Sequence, residues 1–63
     1  MFKVEFRNPE GSTDDPKLEM WKEVHPDAFP EELRNARPWN EKDANTAAEM
    51  MRSRGYEARV VPE

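Results

Sequence analysis

The chain has no cysteine, so no disulfide can staple it. Its only imidazole is His25, and a zinc site would have to be built around that one ring from carboxylates, an uncommon structural solution. No metal and no cofactor are therefore expected. Isoleucine and glutamine are absent, and arginine outnumbers lysine six to four, a usage that suggests a GC-rich coding genome. No apolar run approaches the ~20 residues needed to span a bilayer. The first residues alternate charged with apolar side chains where a signal peptide needs a continuous apolar stretch, so the expected location is the cytoplasm, with no membrane partner.

What is present fits one small domain covering residues 1–63. A chain of this size buries only roughly 60% of the surface its unfolded form exposes, which makes its stability marginal. With disulfides excluded and a metal disfavoured, association with itself or with a partner is the remaining support, and homodimerisation is left open. Hydrophobic residues make up 35% and charged residues 38%, near the polar edge of globular composition. The net charge of -4 is unevenly placed: Glu10 to Asp43 holds ten acids against five bases, while the last twenty residues balance three against three. An acidic middle argues against binding nucleic-acid backbone, which requires clustered Lys and Arg, and in favour of a basic protein partner.

Hydrophobic spacing predicts an α+β fold. Phe2, Val4 and Phe6 alternate with Lys3, Glu5 and Arg7, the pattern of a half-buried strand over 2–7. The residues from Asn8 to Pro16 are crowded with turn formers and read as a loop. Over 17–24 two readings compete. Leu18, Met20 and Val24 suit a strand face that would close a hairpin, whereas Asp15-Pro16 suits an N-cap and first position of a helix; the strand is the expectation. His25 precedes Pro26 and reads as a boundary residue.

A short helix is expected over 29–37, with Phe29, Leu33 and Ala36 on one face and acids before bases along its length. A longer helix is expected over 41–54, capped by Asn40 and closed by Gly55, with Ala44, Ala47, Ala48 and Met51 forming one buried stripe. Tyr56, Ala58 and Val60 then alternate with Glu57, Arg59 and Val61 as a final strand over 56–61. Assembled, these give a three-stranded, mainly antiparallel sheet with both helices on one face.

Candidate functional residues are few. No nucleophile, base and orienting group fall into a recognisable set around His25, Ser12, Ser53, Thr13 or Thr46, so the chain is not expected to be an enzyme. Asp14-Asp15 and Glu31-Glu32 lack the spacing of a cation loop and read as turn and helix-start residues. Trp21 and Trp39 carry two readings: ring volume for a core that has only two Leu and four Val, or an exposed anchor at an interface. On the second reading, Trp21, Trp39, Glu31, Glu32 and Arg37 form the candidate protein-binding set. Arg52, Arg54 and Arg59 form an alternative, basic group that would meet a nucleic acid or a glycan.

Two resemblances bear on function. Ala47 to Val61, reading Ala-Ala-Glu-Met-Met-Arg-Ser-Arg-Gly-Tyr-Glu-Ala-Arg-Val-Val, resembles the helix-Gly-strand half of sporulation-related repeat (SPOR) domains, which implies glycan binding. In size, composition and lack of a catalytic motif, the chain is similar to the short orphan proteins of bacteriophages that infect high-GC hosts. That likeness implies a small acidic protein-interaction module, acting in the host cytoplasm on a host or phage protein.

Overall fold

The computed structural model describes residues 1–63. The opening alternation becomes strand β1, Phe2–Arg7, the centre of a three-stranded antiparallel sheet in the order β2-β1-β3. Strand β2 is Lys22–Glu23 and strand β3 is Glu57–Pro62. Along β1 and β3, Phe2 pairs with Pro62, Val4 with Val60 and Phe6 with Ala58; between them Lys3 pairs with Val61, Glu5 with Arg59 and Arg7 with Glu57. Because side chains alternate across a strand, the first set shares one face and the second set the other. The first is the inner face: Val4 is fully buried, and Phe2, Phe6, Ala58 and Val60 pack against the core.

Helix α2, Glu41–Ser53, closes that inner face. It starts where the Asn40 side chain accepts the Asp43 N–H at 2.8 Å, satisfying a donor that the first turn would otherwise leave unpaired. Ala44, Ala47 and Ala48 have no exposed surface, and Met51 is buried beside them. Three methyl side chains let the helix backbone approach β1 and β3 closely, and the buried Met51 adds about 1.5–3 kcal/mol of transfer free energy. The end is a Schellman motif: Gly55 N–H donates to Arg52 O and Tyr56 N–H to Met51 O. Gly55 takes φ of +95°, which an L side chain resists. Tyr56 then stacks edge-to-face on Phe6, centroids 5.2 Å apart.

Helix α1 is Glu31–Asn35, shorter than the spacing predicts. Phe29 and Leu33 enter the core as expected, but Ala36, one residue beyond the helix, is exposed. The Arg37–Pro38 peptide is cis, and Trp39 follows it. The carbonyl of Trp39 accepts the Phe2 N–H at 2.9 Å, tying this segment to the start of β1.

The segment 17–24 divides between its two readings. Asp15 caps a 3-10 turn over Pro16–Glu19, its carboxylate accepting the Lys17 N–H at 3.0 Å while Pro16 fixes φ at the first position. That local geometry wins over the strand expectation until Lys22, so Leu18 and Met20 stay exposed instead of lining a sheet face. From Lys22 the chain pairs with β1, and the Val24 N–H continues the pairing by donating to Val4 O at 3.0 Å. His25 marks the boundary, where its Nδ1 accepts the Asp27 N–H and caps a second 3-10 turn, Pro26–Ala28.

Candidate functional site

The expected binding residues separate into three environments. Trp39 is in the interior, 1% exposed, with Nε1–H donating to Leu33 O at 2.8 Å and its ring edge-to-face with Phe29 at 5.5 Å. A ring so enclosed is unavailable to a partner, which corrects the anchor reading for Trp39: the core has no other side chain of that volume to fill the gap between α1, α2 and β1. Arg37 lies over this ring, 5.1 Å from its centroid, and reaches Glu23 at 3.8 Å, so it links the core ring to β2.

Trp21 takes the opposite position. Its place opposite Arg7 puts it on the outer face of the sheet, half-buried, with the Arg7 guanidinium 4.6 Å and the Arg59 guanidinium 4.2 Å from its ring centroid. Both arginines are also neutralised in place. Arg7 Nε donates to Glu57 at 2.8 Å, and Arg59 Nη2 lies 2.6 Å from Glu5. The sequence makes Trp21 and Arg59 binding candidates and puts Glu5, Arg7 and Glu57 on the same outward face without giving them a binding role. The signal was available in the strand period: Arg7, Glu5, Arg59 and Glu57 all carry the outward parity.

Arg52, Arg54 and Arg59 do not converge. Arg52 is held by Glu49 and donates through Nη2 to Ala58 O at 2.8 Å. Arg54 sits 5.8 Å from the Phe29 ring and reaches Met51 Sδ, on the core side of the sheet, whereas Arg59 occupies the outer side. A shared phosphate or sugar has no common cationic pocket there.

The third environment is acidic. Every arginine except Arg54 has a carboxylate partner, whereas Glu31, Glu32, Glu41 and Asp43 have none. These four carboxylates occupy the first turns of α1 and α2. Between the two helices runs an open groove of about 260 Å³ whose apolar wall is Pro30, Leu33, Ala36 and Met50 and whose polar rim includes Glu32, Asp43 and Thr46. The surface continues along α2 past Glu41, Asn45 and Glu49, with Lys42 as its one base. Met50, Asp43 and Glu41 were not singled out from the sequence. Asp43 and Met50, seven residues apart, share one side of α2, and the neighbouring α1 converts that side into a groove, while Glu41 lies on the opposite flank.

No ionisable side chain belongs to the buried class, and no cluster of three or more His, Asp or Glu side chains is placed to hold a metal ion. No helix is long and apolar enough to cross a membrane. No protein-family model, curated protein or solved structure matches the chain.

Proposed function

We propose that the chain is a small protein-interaction module that receives a basic, amphipathic segment of a partner protein across the α1–α2 groove. One observation carries this reading: five of the six arginines are held in ion pairs inside the fold, while the two carboxylates on the groove's rim, Glu32 and Asp43, stay unpaired beside its apolar wall. Unpaired surface acids raise the association rate of a cationic partner, and the apolar wall slows its departure. Binding is favoured over catalysis because the groove offers hydrophobic contact and fixed charge without a nucleophile beside a base. The compositional likeness to phage orphan proteins supplies the setting, a host or phage protein in the host cytoplasm.

A titration of the isotope-labelled protein with a synthetic Lys-Leu amphipathic helix peptide tests the reading by amide chemical shift. The expected result is a set of perturbations at Leu33, Ala36, Asp43 and Met50 that shrinks as salt is raised, with binding weakened at least about tenfold by Glu32→Lys/Asp43→Lys. Perturbations confined to the outer sheet face, or equal binding by wild type and the charge-reversed variant, overturn it.

A further inference from the structure

A different surface, the free edge of β3, carries an inference about self-association. Antiparallel neighbours alternate between residues that turn their backbone groups toward each other and residues that turn them away. Val24 N–H donates to Val4 O, so the even residues of β1 face β2 and the odd ones face β3. Glu63 N–H donates to Met1 O, in agreement with that parity. In β3 the backbone groups of Ala58, Val60 and Pro62 consequently turn outward, at the sheet's long edge.

Two of the outward backbone groups cannot take part as the fold stands. Arg52 Nη2 donates to Ala58 O at 2.8 Å while Glu49 holds the same guanidinium, and Pro62 has no N–H. The Ala58 N–H and both groups of Val60 remain open, and an edge with open groups is a template for another strand. We propose that β3 is a self-pairing edge held shut by Arg52: when the guanidinium leaves Ala58 O, β3 of a second copy docks antiparallel about Ala58 and joins the two sheets into one.

Charge selects that register. With Ala58 on the two-fold axis, Glu57 lies opposite Arg59 of the second copy, and Arg59 opposite its Glu57. These contacts continue the Arg7–Glu57 and Glu5–Arg59 pairs of each sheet into one row of alternating sign across the junction. A register centred on Arg59 sets two guanidiniums against each other. One centred on Val60 sets Glu57 against Glu63 of the second copy, two like charges directly opposite, whereas the Ala58 register brings Val60 to Tyr56, whose carbonyl can accept the Val60 N–H while its own N–H stays with Met51 O. On the inner face, the residue at the axis is alanine, which leaves room for the two halves to meet.

Sedimentation equilibrium on wild type, Arg52→Ala and Arg52→Ala/Val60→Pro, combined with amide exchange at Ala58 and Val60 over a concentration series, tests the proposal. Arg52→Ala is expected to tighten self-association at least about tenfold and to slow both amides as concentration rises, and the added proline is expected to return the protein to wild-type behaviour. Identical sedimentation of wild type and Arg52→Ala overturns it, as does an Arg52→Ala dimer whose Ala58 and Val60 amides exchange at the monomer rate. Should Arg52→Ala fail to fold by circular dichroism, Arg52→Met, which keeps a long aliphatic stem at the end of α2 but cannot donate to Ala58 O, carries the same test: tighter association supports the edge, and unchanged association overturns it.

Discussion

The two faces of the sheet treat a tryptophan in opposite ways. On the inner face Trp39 is enclosed by Phe29 and the apolar wall of α2, and its one polar atom is satisfied by Leu33 O. On the outer face Trp21 stays half-exposed and is covered by Arg7 and Arg59, each paired with a carboxylate across the strands. The difference separates two jobs that a sheet of three strands must do. Volume and stability reside on the inner side, where nothing charged is buried. On the outer side the register of β1 against β3 is favoured by two opposite-charge steps, Glu5 with Arg59 and Arg7 with Glu57, and the indole lies against both guanidiniums.

Three substitutions break or sharpen that contrast. Trp39→Ala removes the largest core side chain and leaves Leu33 O without its donor, so it is expected to cost roughly 3–5 kcal/mol, close to the whole stability of a domain this small. Thermal unfolding followed by circular dichroism should show no cooperative transition; a folded variant with a midpoint only a few degrees lower would mean that the indole does not fill the core. Asn40→Ala removes the cap that seats α2 on the inner face and is expected to cost about 1 kcal/mol, read as a lower urea midpoint at unchanged slope. Trp21→Ala should have the smallest effect, about 0.5–1 kcal/mol, from cation–π contacts at a partly exposed site, with the far-ultraviolet spectrum unchanged. A loss as large as that of Trp39→Ala would erase the distinction between the faces.

The sequence made most of the inner face legible, because period and punctuation agreed there. Phe2, Val4 and Phe6 alternate, the alanines of α2 recur at helical spacing, and Asn40 and Gly55 mark its two ends; each element then packs where its pattern points. Trp39 was ambiguous because a single aromatic between two helices has no period of its own, and its burial depends on how α1 and α2 converge. Leu18 and Met20 misdirected the strand expectation for a local reason: the Asp15 cap and Pro16 commit the backbone to a turn before the sheet can recruit it. The acidic groove was legible only as an excess of acids in the middle of the chain. Which carboxylates stay unpaired depends on where each arginine lands, and Arg7, Arg37 and Arg59 find partners far along the sequence.

Where the chain begins and ends also has a mechanical consequence. Met1 O accepts the Glu63 N–H, so the two extremities meet at one corner, on neighbouring antiparallel strands. A pulling force applied between them loads the β1–β3 hydrogen bonds one after another, as a seam opens from its end, instead of all together in shear. Tension from segments attached at the two extremities would therefore peel β3 away from β1 and expose the alanine side of α2 at low force.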